Sequence, residues 1–165
     1  MQPAEYWITQ LNLQAHPEGG FYKETYRSGE TINQNGLPDR FPGPRSFSTA
    51  IYFLLRSQDR SLFHRIKSDE LWHWHAGSTL SIYVLDKGRL AVQQLGDNPE
   101  REESLQLAIP ANCWFGAKLN EENAYVLASC TVAPGFDFQD FELAEKKELV
   151  QQYPAHKDVI NFLTH

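Results

Sequence analysis

From Ser46 to Val132 the chain alternates short apolar-rich runs with turn residues. SFSTAIYFLL, SLFHRI, ELWHWH, TLSIYVL, RLAVQQL, SLQLAIP, CWFGAKL and NAYVLASCTV follow one another, with HAGS, DKGR and LGDNPER among the turns between them. Alternation of this kind predicts strands, and eight short ones at such spacing predict a sandwich or a closed barrel. The flanks have a different period. AEYWITQLNL sets Trp7, Ile8 and Leu11 at helical intervals and predicts a short N-terminal helix. The tail ELAEKKELVQQYPAHKDVINFLT carries Leu143, Leu149, Val150, Ile160 and Leu163 among many charges. It predicts two helical pieces parted at Tyr153-Pro154, since the residue before a proline resists helix, and these are expected to cover one side of the barrel or an open edge. Ahead of the strands lie HPEGGFYKETYR, a turn followed by alternating residues, and residues 28–44, a Gly-, Pro- and Asn-rich loop too long to be idle.

Composition narrows the field. With 165 residues, 41% apolar and 13% aromatic, the chain can bury one core, and residues 1–165 are expected to form a single domain without linker or repeat. Fifteen Lys and Arg stand against 21 Asp and Glu, a net charge of −6 with no basic run, which makes nucleic acid and anionic membranes poor partners. No apolar run approaches the roughly 20 residues of a membrane helix. The start, MQPAEYWITQLNL, lacks the basic-then-apolar order of a signal peptide, so a cytoplasmic location is expected. Cys113 and Cys130 form no CxxC pair and sit in strand-like runs, as buried reduced thiols do.

Candidate chemistry concentrates in FHRIKSDELWHWHAG, residues 63–77, with three histidines, an Asp-Glu pair and two tryptophans. Strand parity divides it. His64 and Glu70 can face each other across a hairpin turning near Lys67-Ser68-Asp69, whereas His73 and His75 oppose Glu70, Trp72 and Trp74 on their own strand. One continuous strand cannot aim both sets at one ion, although a bulge within 70–75 would bring the histidine pair inside. His64 and Glu70 form either an acid/base or metal pair or a buried structural pair; an ionisable couple inside an apolar barrel is expensive without a role. Trp72, Trp74, Trp114 and Phe115 can build an aromatic wall or simply fill the core. In HPEGG, His16, Glu18 and the Gly19-Gly20 amides can approach a ligand at the mouth, or merely start a strand. Arg27 and Arg45 flank the long loop, suiting a carboxylate or phosphate, or solvent.

The same stretch resembles the first motif of the cupin superfamily, G-x5-H-x-H-x3-4-E-x6-G, with His64, Glu70 and Gly77 in register and Ile66 where a second histidine is usual. PANCWF resembles the second motif, P-x-G-x2-H, with Pro110 matching, Asn112 in place of glycine and Phe115 in place of histidine. HPEGGFYKETYR, RSFSTAIYFLL, TVAPGFDFQDFELA and YPAH, in this order with the histidine stretch, resemble the uncharacterised cupin 5 family across nearly the whole chain. The resemblance implies a mainly β fold, a double-stranded β-helix or jelly-roll barrel with short terminal helices. It also implies a homodimer or higher homo-oligomer, and a cavity like those of sugar-nucleotide epimerases.

Three functions follow as expectations. The first is a metal-independent isomerase or epimerase of a sugar- or keto-type metabolite, with His64 moving protons, Glu70 orienting or sharing them, and Trp72, Trp74, Phe115, Arg45, His16 and Glu18 binding the ligand. The second is a small-ligand binding or sensing module without turnover. The third is a cupin oxygenase or hydrolase holding a divalent metal on His64 and Glu70, with His73, His75 or His16 as a substitute ligand; Ile66 and Phe115 leave two of the four usual positions without a donor.

Overall fold

The computed structural model describes residues 2–165. Two six-stranded sheets lie face to face. The first runs in the order β1 (Gln14–Ala15), β2 (Phe21–Arg27), β5 (Thr49–Arg56), β13 (Tyr125–Ala133), β7 (Asp69–Gly77), β11 (Gln106–Ile109). The second runs β10 (Glu103–Ser104), β9 (Arg89–Leu95), β8 (Leu80–Asp86), β12 (Trp114–Leu119), β6 (Ser61–Arg65), β14 (Glu142–Leu143). A two-stranded ribbon, β3 (Thr31–Ile32) with β4 (Arg45–Ser46), closes the long loop. All eight predicted strands are present, and the arrangement is the expected jelly-roll barrel.

Parity assigns the cores. Between the sheets, Leu80, Ile82 and Val84 of β8 meet Phe53, Trp72, Phe115 and Val126. Leu85 and Tyr83, from the opposite face of the same strand, pack with Phe63 and Trp114 under α2 (Lys146–Gln152) and α3 (Lys157–Phe162) through Leu149, Ile160 and Leu163. TLSIYVL reads as a nearly continuous apolar run because both of its faces are covered. The two tail helices part where predicted, with a 3-10 turn at Pro154–His156 between them, and they cover the outer face of the second sheet. On the outer face of the first sheet, α1 (Ala4–Gln10) docks Trp7 and Ile8 against Leu54, Tyr125 and Leu127. Among the described residues, no helix is long and apolar enough to cross a membrane.

The tail helices contribute stability through a few large apolar side chains. Ile160→Ala should lower stability by about 2–5 kcal/mol in urea unfolding. Leu105→Ala, at a surface position 58% exposed, should stay within about 0.5 kcal/mol. Equal effects at the two positions would show that α3 is not part of the cooperative core.

Candidate functional site

Three β-bulges shape one end of the barrel. In β2, Glu24 pairs with Ile51 while Tyr26 pairs with Ala50, so one extra residue enters and Arg27, opposite Thr49, returns to the inner face beside Glu24. In β6, His64 pairs with Phe115 and Ser61 with Ala117, so three steps on β6 match two on β12. That irregularity puts Ser61 and His64 on one side, where plain alternation would separate them. In β7, Trp74 pairs with Ala128 and Ala76 with Leu127, leaving His75 as the extra residue. Because the shift comes only at His75, after Trp72 and Trp74 have taken their inward places, His73 keeps its outward face and His75 lies outside with it. His73 Nε2 lies 2.7 Å from Thr131 Oγ1, and His75 Nε2 lies 2.9 Å from Ser129 Oγ.

Glu18 is the hub. The turn after β1 tucks it inward: Leu62 N–H donates to the Glu18 carbonyl at 2.8 Å, and Gly19 (φ +109°) has no room for a Cβ against the Arg60 carbonyl. The Glu18 side chain accepts from Ser61 Oγ at 2.7 Å and faces His64 Nε2 at 2.9 Å. His64 Nδ1–H donates to the Leu62 carbonyl at 2.7 Å, so both ring nitrogens are engaged. Burial alone would raise Glu18, but the His64 charge and the side-chain hydrogen bonds from His64 and Ser61 hold it below the usual carboxylate range. Burial would likewise lower His64, and the Glu18 carboxylate overcomes it, with smaller help from Glu70 and the Leu62 carbonyl, leaving the ring raised and cationic. His16 differs. Its Nδ1 accepts the Glu18 backbone N–H at 3.2 Å, while the Glu18 carboxylate at 3.5 Å is too far for a good bond. Burial lowers its pKa, so the ring is neutral and its proton sits on Nε2.

These groups line a cavity of about 320 Å³. Its inner wall follows two rows across the first sheet, Glu24–Ile51–Cys130–Trp72 and Arg27–Thr49–Val132–Glu70. The second sheet supplies His64, with Ile66 just beyond β6. Phe136, Phe138 and Phe141 ring the opening. Glu70 is buried and raised to about 7 by desolvation, against the opposing pull of His64. Trp72 Nε1 is buried without an acceptor among the described residues.

The structure thus brings His16, Glu18, His64, Glu70 and Trp72 to one cavity. Phe115 packs on His64 with ring centroids 4.1 Å apart, behind the wall. Trp74 sits one row deeper, at the edge of the interior core. Trp114 turns to the opposite face of β12, where the Arg65 guanidinium stacks 4.3 Å over its ring. Arg45 makes a bidentate ion pair with Asp140, both bonds 2.7 Å, and is 4% exposed; it braces the loop and does not line the cavity. Ser61, Glu24 and the three mouth phenylalanines are additions that alternation did not signal.

Two facing sheets forming a jelly-roll barrel, with ionisable side chains gathered at one end of its interior, define a cupin-type β-barrel protein. The chain belongs to the Cupin_5 family, Cupin superfamily (DUF985), whose model matches residues 5–144. An uncharacterized protein of Saccharomyces cerevisiae is 29% identical over 143 residues, 81% of this chain and 71% of that protein. The crystal structure of a Shewanella oneidensis protein is 40% identical with a TM-score of 0.88, covering 100% of this chain and 99% of the other. A hypothetical protein from Leishmania major is 35% identical with a TM-score of 0.89, covering 99% of both. Bacillus subtilis oxalate decarboxylase matches at TM-score 0.54 and 13% identity, over 90% of this chain and 36% of that one, a likeness of fold alone.

The wider superfamily implies a metal, but its usual set of four donors is not assembled here. His64 has no nitrogen free, Ile66 and Phe115 carry no lone pairs, and His73 and His75 face outward. Among the described residues, no three His, Cys, Asp or Glu side chains form a metal-holding group.

Glu18→Gln leaves a buried imidazole beside a neutral amide and should cost about 3–5 kcal/mol in urea unfolding. Glu70 has the opposite sign. Between pH 4.5 and about 7 the native chain keeps a Glu70 proton that the unfolded chain releases, so stability falls as pH rises through that window. Glu70→Gln should remove about 2 kcal/mol of that fall between pH 5 and pH 8. An unaltered pH slope in the variant would show that Glu70 is not held protonated.

Proposed function

We propose that this protein is a metal-independent isomerase of the epimerase or keto–enol type, acting on a small polar hydroxycarbonyl compound. Glu70 is the base and His16 the electrophile. The observation that carries this is a cavity-lining carboxyl with a pKa of about 7 in the same cavity as a neutral imidazole whose Nε2–H has no protein partner among the described residues. A base poised near neutrality accepts and returns a proton with little energetic mismatch. A neutral imidazole N–H stabilises a developing enolate oxygen without first giving up its proton.

In the step itself, ionised Glu70 removes a proton from the carbon next to the carbonyl. The electron pair moves onto the carbonyl oxygen, which accepts a hydrogen bond from His16 Nε2. Protonated Glu70 then returns the proton to the former carbonyl carbon, while the adjacent hydroxyl passes its own proton to the enolate oxygen and becomes the new carbonyl. In epimerisation the enolate first turns its other face to Glu70 and is reprotonated on the same carbon. His64 and Glu18 do not touch the substrate; they form a fixed ion pair that positions His16 and adjusts Glu70.

A binding module without turnover is the second reading, favoured by one feature: His64, the histidine matching the superfamily motif, has no free nitrogen to offer a substrate.

Incubating the chain in D2O with a panel of small aldoses and ketoses, followed by NMR, separates the two. Deuterium should enter at the carbon beside the carbonyl, with a rate inflection near pH 7. Glu70→Gln should slow it about 10²–10⁴-fold. Chelator treatment should leave the rate unchanged. Ligands that bind but never exchange would favour the binding module, and activity lost to chelator and restored by a divalent ion would establish a metal enzyme.

A further inference from the structure

The charges around the cavity select among ligands. Two cations line it, Arg27 and His64, and each is already paired. Arg27 reaches both Glu24 carboxylate oxygens at 2.9 and 2.7 Å and donates its remaining Nη1 to the Phe136 carbonyl at 3.0 Å. His64 stands 2.9 Å from Glu18. Two further carboxyl groups, Glu70 and Asp137, line the same space without an ion-pair partner of their own among the described residues, and no lysine lines it. With its cations neutralised and carboxylates in excess, the cavity offers an anion no counter-charge. A phosphate brought here would meet like charge with no free cation to receive it.

We propose that the ligand is uncharged: an unphosphorylated sugar of monosaccharide size, or a closely related hydroxycarbonyl compound. Sugar phosphates, carboxylates and nucleotide sugars are excluded. The carbonyl part rests on the function proposed above, while the exclusion of anions stands on the charge pairing alone. Size agrees, because about 320 Å³ lies at the small end of ligand pockets, roughly 300–1,000 Å³. So does the lining. Phe136, Phe138, Phe141 and Trp72 give flat apolar faces for the C–H side of a sugar ring, while His16 and Glu70 meet its oxygens. The sugar-nucleotide cavity that the superfamily resemblance implies would need a free cation for its phosphates, and Glu24 has taken the one at the mouth.

Calorimetric titration of the full chain tests this with matched pairs: glucose and glucose 6-phosphate, fructose and fructose 6-phosphate, ribose and ribose 5-phosphate, and inorganic phosphate alone. At least one neutral sugar should bind, and its phosphorylated partner should bind about tenfold more weakly or worse. Glu24→Gln frees Arg27 and should create binding of inorganic phosphate that the wild type lacks. The Glu24→Gln/Arg27→Gln double variant should lose it again. A phosphorylated member binding the wild type as tightly as its neutral partner would overturn the proposal, as would a neutral panel that gives no binding. A Glu24→Gln chain that gains no phosphate binding would also overturn it. Neutral sugar bound without deuterium exchange would refute the catalytic role of Glu70 and leave the ligand assignment standing.

Discussion

A carboxylate enclosed in an apolar barrel must be matched by a cation and by hydrogen bonds, and Glu18 imposes that requirement on everything near it. Left alone it would take up a proton or open the barrel to water. Its partners come from one short strand: the Ser61 hydroxyl, the Leu62 amide at its backbone, and the His64 ring. For Ser61 and His64 to reach the same carboxylate, β6 must carry an extra residue, and it does. For Glu18 to point inward, the turn that carries it must pass against the Arg60 carbonyl, which only a residue without a Cβ permits at Gly19. The ion pair, the bulge and the glycine are one device.

Two glutamates in the same cavity end in opposite states. Glu18 gains a cation and two side-chain hydrogen bonds and stays ionised. Glu70 loses its hydration without a comparable partner and rises to about 7. His64 couples them, since its charge lowers both, but its hydrogen bond goes only to Glu18. Environment has divided two identical side chains into a paired anion and a carboxyl raised to about 7.

How far alternation reveals such a molecule depends on whether it holds locally. The eight central strands, α1 and the break between α2 and α3 were legible because each buries a face at a regular period. His64 and Glu70 were legible through motif spacing. Ser61 was not, because the bulge in β6 moves it off the face that parity assigns, and Arg27, named for its place beside the long loop, reaches the inner face only through the bulge in β2. Arg45 resembled a ligand-binding arginine because its charge is visible in the chain, whereas its partner Asp140 lies 95 residues away. Trp114 and Phe115 are neighbours that belong to different cores, and only the register of β12 against β8 tells them apart. Asn112, in the position where the superfamily has glycine, adopts φ 65°, so the turn keeps its shape although the letter changed.

The segment carrying Phe136, Phe138 and Phe141 is tied down along its length. Gly135 N–H donates to the Ser46 carbonyl, Phe136 N–H to Thr49 Oγ1, Arg27 holds the Phe136 carbonyl, and Asp140 is clamped by Arg45. An entrance fixed in this way has surrendered its conformational entropy during folding, before any ligand arrives. The free energy of association is then not drained by ordering a loop. On the function proposed above, discrimination then rests on rigid shape and fixed charge, since a doorway of this kind does not adapt to a poorly matched molecule.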